Sequence, residues 1–158
     1  MAAGGWAWLI AAGALLALPV LRPAAAQEMF AGTWTVVDAQ PAPWVAGAGA
    51  PPAVDAAMRQ GRITFGADRV DGPPPLGCAE PRYEIVRAGP EYLFQGGLSD
   101  PAAQAAALGF GAGEIVHLSL ACVRDDADVG IDFSLVDADT ALFALDNVIY
   151  RMVRKPGQ

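Results

Sequence analysis

The sequence contains one histidine and only two cysteines in 158 residues. A structural zinc site takes four cysteine or histidine ligands, so this small supply argues against such a site. The Gly-x-Ser-x-Gly motif, which carries the nucleophile of the α/β-hydrolases, does not occur either. We therefore predict no metal, no cofactor and no enzymatic activity, and a small hydrolase is the weakest hypothesis.

Positive charge is also scarce. Ten Lys and Arg residues stand against 17 Asp and Glu residues, which gives a net charge of −7 at pH 7. An acidic surface repels the phosphates of nucleic acids. It is repelled by anionic lipid head groups as well. We accordingly expect neither nucleic acid nor an anionic lipid surface as a partner.

Only one long apolar stretch is present, over residues 6–21, and it is shorter than the roughly 20 residues that span a bilayer as a helix. Ala24 and Ala26 follow it at the small-residue positions of a signal-peptidase site. The sequence thus predicts a cleavable signal peptide, residues 1–26, and a single domain, residues 27–158. An uncleaved N-terminal anchor is the alternative. After cleavage, no stable membrane insertion is expected.

Export would place the domain in the periplasm or outside the cell, where disulfides persist. The two cysteines, Cys78 and Cys122, then form an even count in an oxidising compartment, which predicts one bridge between them. Two free, buried thiols are the alternative. We expect the domain to be a monomer.

Short runs of β-branched, aromatic and alternating residues predict about eight strands. The predicted strands cover residues 32–37, 62–65, 83–86, 91–94, 114–123, 130–136, 140–145 and 148–153. After the predicted strand over residues 62–65, residues 69–70 form a short segment that runs back along it. Residues 38–60, rich in Pro, Gly and Ala, indicate a long irregular loop with one helical turn near residues 54–58. Consecutive strands at this spacing are typical of an antiparallel meander.

One short helix is predicted over residues 102–108. Asp100 is a good N-cap, Pro101 suits the first helical position and Gly109 suits the C-terminal end. We expect this helix to be a connection or lid outside the core. The predicted fold class is therefore mainly β: an eight-stranded, barrel-like antiparallel meander with one short helix, which can hold a small ligand.

Bulky residues favour a packed interior over an open one. The five on which this expectation depends are Phe65, Phe94, Phe133, Phe143 and Tyr150.

Gly32-x-Trp34 opens the first predicted strand, and Arg151 lies in the last one. In this respect the chain resembles the lipocalin-like (calycin) barrels. The resemblance implies that Arg151 packs across the Trp34 ring as a cation–π pair that closes one end of the barrel, with Arg154 as the alternative partner.

A second resemblance is to the META-type domains of the bacterial envelope. It is carried by Phe65 at a strand end, by Gly77-Cys78 and by Ala121-Cys122. Both resemblances imply a β domain without enzymatic activity.

Four acidic residues, Asp125, Asp126, Asp128 and Asp132, present oxygen ligands at a spacing that suits calcium. However, no acidic residue stands at the twelfth position of such a loop. We therefore favour a solvated turn between two strands over a calcium site.

Three other candidates carry side chains suited to chemistry or recognition. His117 points away from the Cys122 face of its strand, so we place it at the surface or in a lumen. Glu84 and Glu91 could form a carboxylate pair for sugar hydrolysis, although surface charges are the favoured interpretation. Trp44 is either folded back as a plug on the barrel end, which we favour, or displayed as a possible recognition residue.

The leading functional hypothesis is an exported, non-enzymatic β-barrel binding protein. It would take a small apolar ligand in the barrel mouth, or an envelope protein through the loop of residues 38–60. An inhibitor of an envelope enzyme is one form of this hypothesis. The alternative is a structural or stress-related envelope domain whose barrel is filled by side chains.

Overall fold

The structure is a computed structural model that describes residues 28–47, 49–124 and 127–154, without the side chains of residues 124, 127 and 128. The predicted signal peptide, residues 1–26, lies outside these described residues. Within them, no helix combines the length and the hydropathy needed to cross a membrane.

Within the described ranges, nine antiparallel strands form one curled sheet, a half-barrel. The strands are β1 (Gly32–Pro41), β2 (Arg62–Phe65), β3 (Arg69–Asp71), β4 (Cys78–Ala79), β5 (Arg82–Ala88), β6 (Ile115–Arg124), β7 (Ala127–Leu135), β8 (Thr140–Leu145) and β9 (Val148–Arg154). Their order across the sheet is β4-β3-β2-β1-β9-β8-β7-β6-β5. The predicted mainly β, antiparallel fold class is confirmed.

The number of strands differs from the prediction at three places. β3 and β4 are strands of their own, because each pairs with its neighbour along the chain. The predicted strand over residues 91–94 is wrong, since Pro90–Gly96 forms 3-10 turns with a kink between them. Pro90 supplies no N–H for a sheet ladder, which favours a turn at this point.

The sheet does not close by hydrogen bonds between its two edge strands. The described strand pairs include none between β4 and β5. Instead the predicted Cys78–Cys122 disulfide, which is confirmed, joins β4 to β6 across the opening, with 5.9 Å between the Cα atoms. Beside it, the Tyr83 hydroxyl of β5 donates a hydrogen bond of 2.8 Å to the Gly66 carbonyl. We call this region, Cys78–Cys122 and Tyr83–Gly66, the seam.

The concave face of the sheet is filled by side chains. Its largest fully buried members include Phe30, Trp34, Met58, Phe133, Phe143 and Tyr150. Ring centroids lie 5.0 Å apart for Phe65–Phe133, 5.2 Å for Phe133–Phe143 and 5.1 Å for Phe143–Tyr150, distances at which aromatic rings attract one another. Four of the five bulky residues therefore pack the interior as predicted.

Phe94 is the exception, because it lies on the convex side of the sheet with the residues that cover it. The loop after β1 also differs from the prediction. β1 continues to Pro41, and Met58 folds back into the interior, where it is completely buried.

Trp34 is completely buried, and its indole N–H donates a hydrogen bond of 2.9 Å to the Phe30 carbonyl. The guanidinium carbon of Arg154 lies 4.9 Å from the centre of the Trp34 ring, in cation–π contact. Gly32, at φ +100°, begins the strand in a conformation that favours glycine.

The expectation that Arg151 packs across Trp34 is wrong, and Arg154 is the partner. Trp34 pairs directly with Arg154 in the β1–β9 ladder. Since successive side chains of a strand alternate between faces, Arg151 lies on the opposite, convex face from Arg154. There Arg151 donates a hydrogen bond of 2.8 Å to the Leu108 carbonyl.

The long connection between β5 and β6 forms a second layer on the convex face. Its helix, α1 (Pro101–Leu108), has the predicted N-cap, since Asp100 accepts a hydrogen bond from the Ala103 N–H, and it ends at Gly109 in the left-handed region. The expectation that α1 lies outside the core is wrong. Its residues Ala105 and Leu108 are buried in a second apolar cluster against β8 and β9.

We predict that replacing both Cys78 and Cys122 by alanine lowers the free energy of unfolding by about 4 kcal/mol. The reason is that the bridge, which spans 44 residues, no longer restricts the unfolded chain. The bridge also holds β3 and β4 in the folded state, so hydrogen exchange should rise there by more than the global loss produces in β8 and β9. An equal rise in all strands would contradict the role of the seam.

Replacing Arg154 by alanine should lower the free energy of unfolding by at least about 1–2 kcal/mol, because it removes the ring contact and the hydrogen bonds to the Met29 carbonyl, the Ala138 carbonyl and the Asp139 carboxylate. Arg151→Ala loses a single described hydrogen bond and should cost about 1 kcal/mol or less. Chemical denaturation of both variants measures the difference. A larger loss from Arg151→Ala would contradict the assignment of Arg154.

Candidate functional site

A cleft of about 350 Å³ opens on the convex side of the sheet, between the turn joining β8 to β9 and the 3-10 segment before α1. The described residues that give it its chemistry are Trp44, Phe94, Gln95, Asp132, Asp146 and Asn147. Aromatic rings, amides and carboxylates therefore meet in one concave place. We call this place the Trp44 cleft.

Trp44 is held at the rim of the cleft by the turn between β8 and β9. It lies in a 3-10 turn, Pro43–Val45, and its indole N–H donates a hydrogen bond of 2.9 Å to the Asn147 side-chain oxygen. The backbone carbonyl of Asn147 accepts a second bond, of 2.8 Å, from the Ala42 N–H. The side chain nevertheless remains 38% exposed. Trp44 is thus neither a plug on the barrel end nor a freely displayed side chain.

The turn that holds Trp44 consists of Asp146 and Asn147, both in the left-handed region with φ of +50° and +64°. Two residues with positive φ form the tight turn that matches the twist of an antiparallel hairpin. Asp and Asn tolerate this conformation better than most residues. The turn joins the two strands predicted over residues 140–145 and 148–153, and it presents both side chains to the cleft.

The opposite wall is formed by Phe94 and Gln95, which also lie in the left-handed region, at φ of +52° and +58°. For non-glycine residues this conformation costs on the order of 1–2 kcal/mol each. The Phe94 ring packs against Trp44, with 5.7 Å between the ring centroids. A β-carbon at Gly97 would lie 3.1 Å from the Trp44 ring, so the absence of a side chain there lets the indole approach the backbone.

Two hydrogen-bonded side-chain pairs cross from β6 to β7 beside the cleft. The Ser119 hydroxyl donates to a carboxylate oxygen of Asp132 over 2.5 Å, and His117 Nδ1 lies 2.8 Å from the Ser134 hydroxyl oxygen. Each pair is directly opposite in the ladder. Asp132 therefore belongs both to this polar row and to the wall of the cleft.

His117 is only 1% exposed, so the expectation of a surface or lumen position is wrong. It lies on the convex face, where the Tyr92 ring covers it with 4.9 Å between the ring centroids. Burial lowers the pKa of His117, while the negative charge of Asp132 acts in the opposite direction. Within the described structure its Nε2 atom is buried and has no hydrogen-bond partner.

The His117–Ser134 pair does not have the accessibility of a catalytic dyad. A nucleophile must reach its substrate, whereas Ser134 is 2% exposed and His117 is covered by Tyr92. Glu84 and Glu91 are exposed, on β5 and in the 3-10 segment respectively. The burial of His117 and Ser134 supports a structural role for their hydrogen-bonded pair.

The acidic run considered for calcium is only partly described. Asp125 and Asp126 lie outside the described residues, and the side chain of Asp128 is not described. Asp132 is bonded to Ser119 as part of the polar row. Among the residues described, no group of three or more His, Cys, Asp or Glu side chains is arranged to hold a metal ion.

A second cleft, of about 540 Å³, runs along β3 and β4 beside the seam. Its polar lining includes an exposed ion pair between Arg69 and Asp71. No aromatic ring is among its described lining residues. It therefore lacks the aromatic side chains that distinguish the Trp44 cleft.

Sequence reasoning identified Trp44 as a candidate but missed the residues that surround it. The turn at Asp146-Asn147 was a readable signal, because such dipeptides favour positive φ. Nothing in the local sequence indicated that Phe94 and Gln95 would face Trp44, since their contact depends on how the β5–β6 connection folds over the sheet.

We predict that acid destabilises the fold through His117. The folded protein binds this proton less readily than the unfolded chain, whose histidine pKa is about 6.5. The stabilisation from neutral His117 is therefore complete above about pH 6.5 and declines as the pH falls towards the lower folded-state pKa.

Thermal unfolding between about pH 7.5 and pH 5 tests this dependence. His117→Asn is the matched control, because its amide is polar and does not titrate. The unmodified protein should lose more stability on acidification than the variant does. Equal losses in the two proteins would contradict a titrating role for His117.

Comparison with known proteins yields no relative for this chain. No protein family, curated protein or solved structure matches it.

Proposed function

We propose that this chain is an exported, non-enzymatic binding protein that recognises a partner protein of the cell envelope through the Trp44 cleft. The observation that carries the proposal is the state of Trp44, which is 38% exposed yet fixed by Asn147 and Phe94. A large aromatic side chain held in place loses little conformational entropy when a partner binds.

The filled interior favours recognition on the outside of the sheet. Trp34, Phe133 and Phe143 are fully buried in the concave face, which leaves a small apolar ligand no evident place there. Of the two ligand classes expected from the sequence, a partner protein therefore fits better than a small apolar molecule.

A purely structural envelope domain is the alternative, and the filled interior would suit it equally well. The cleft favours binding, because its wall contains Phe94 and Gln95, two non-glycine residues in the left-handed region outside a hairpin turn. Strained backbone that the surrounding structure holds in place is concentrated at functional sites.

Export and a calycin-type relationship are further parts of this proposal. The Cys78–Cys122 bridge supports an oxidising compartment, the periplasm or the exterior. The contact of Arg154, from the last strand, with Trp34 on the first strand supports the likeness to calycins. Inhibition of an envelope enzyme is one form that partner recognition could take.

Photocrosslinking tests the proposal in cells that produce the protein. A benzophenone amino acid in place of Trp44 should give a crosslinked partner in the envelope fraction. The same amino acid in place of Val123, an apolar residue that is 62% exposed on β6, is the matched control.

The expected result is a partner that crosslinks from position 44 and not from position 123. Trp44→Ala should then weaken binding of the purified partner by about tenfold or more, as loss of an interface aromatic does, and Val123→Ala should not. Equal crosslinking from both positions, or none from position 44, would refute recognition through the cleft.

A further inference from the structure

We infer that the Trp44 cleft takes a cationic side chain, the guanidinium of arginine or the ammonium of lysine, from an exposed segment of the partner protein. This inference rests on the proposed function and specifies the group that the cleft recognises. It follows from the charges, the aromatic rings and the hydrogen-bond acceptors that line the cleft.

The charge at the cleft is negative. Asp132 and Asp146 supply carboxylates, and no Lys or Arg is among the described residues that line it. The Ser119 hydroxyl that bonds Asp132 is a neutral donor, so it leaves the charge of that carboxylate in place. The whole chain carries a net charge of −7, which would draw a basic segment towards it.

The aromatic rings favour the same kind of group. Cations bind over the ring of tryptophan more strongly than over other aromatic rings. The indole N–H of Trp44 is already bonded to Asn147, so the exposed part of the ring remains as the contact surface for a ligand. Phe94 lies beside it and adds a second ring.

The amide side chains complete a set of acceptors suited to N–H donors. Gln95 and Asn147 each carry a carbonyl oxygen, of which that of Asn147 already accepts the Trp44 N–H and has a second lone pair, and the two carboxylates accept only. A guanidinium presents five N–H donors in a planar fork and also stacks on aromatic faces. An anionic or purely apolar side chain would leave Asp132 and Asp146 without a partner of opposite charge.

His117 provides an internal reporter of such binding. The charge of Asp132 raises the pKa of His117 against the effect of burial. A cation bound beside Asp132 would offset that charge and lower the pKa further. His117 is the sole histidine of the sequence, so its ring signals are unambiguous in an NMR titration.

The test uses three blocked peptides that differ only at their central residue: arginine, citrulline (which has a similar shape but no charge) and leucine. Binding to the purified protein is followed by the indole N–H resonance of Trp44, assigned with Trp44→Phe. The variants Asp132→Asn and Asp146→Asn remove each carboxylate. Asp68→Asn, in the turn between β2 and β3, makes the same change of charge outside the cleft.

The arginine peptide should bind about tenfold more tightly than either neutral peptide. Asp132→Asn and Asp146→Asn should reduce that preference, and Asp68→Asn should not. In the unmodified protein the arginine peptide should lower the pKa of His117, whereas citrulline should leave it unchanged. This last measurement needs no variant and is therefore independent of any effect of substitution on folding.

Equal binding of all three peptides, or no change at Trp44 with any of them, would overturn the inference of a cationic ligand. In either case crosslinking from position 44 decides separately whether the cleft recognises a partner. A crosslinked partner would leave the proposed function in place, and it would mean that the cleft binds an uncharged group of that partner.

Discussion

The Cys78–Cys122 bridge ties together the two ends of an open, curled sheet. β4, at one edge of the sheet, has only two residues, and β3 is its ladder partner among the described strands, so backbone pairing holds it weakly. The bridge connects β4 to β6, and the Tyr83–Gly66 hydrogen bond connects β5 to the turn between β2 and β3. Burial raises the pKa of Tyr83 to about 12, and its hydroxyl is protonated at neutral pH as that of an exposed tyrosine would be. Because the seam holds the curl, the concave face can be filled by aromatic residues.

The interior is filled by side chains, and the Trp44 cleft opens on the convex face. The β5–β6 connection covers part of that face with α1 and the turns before it, which buries His117 and leaves a gap beside Trp44. The same connection therefore creates both the second apolar cluster and the cleft. Asp132 links the two regions, because it lines the cleft and its charge acts on the buried histidine.

Local sequence predicted well wherever a short-range rule applies. The ends of α1 at Asp100 and Gly109 follow from capping, and the β8–β9 turn follows from Asp146-Asn147. The errors lie where distant parts of the chain compete. Residues 91–94 have the composition of a strand, yet Pro90 and the burial of Leu93 under the convex face select turns.

The sequence by itself determined the antiparallel β class, the one possible disulfide pair and the acidic charge, because each depends only on residue types and their spacing. The tertiary structure decided which arginine meets Trp34, that His117 is buried and that Trp44, Phe94 and Asn147 meet in one cleft. The physical reason is that strand register and the path of a long connection set these contacts. Arg151 and Arg154 differ by only three positions in the chain, but alternation places them on opposite faces of the sheet.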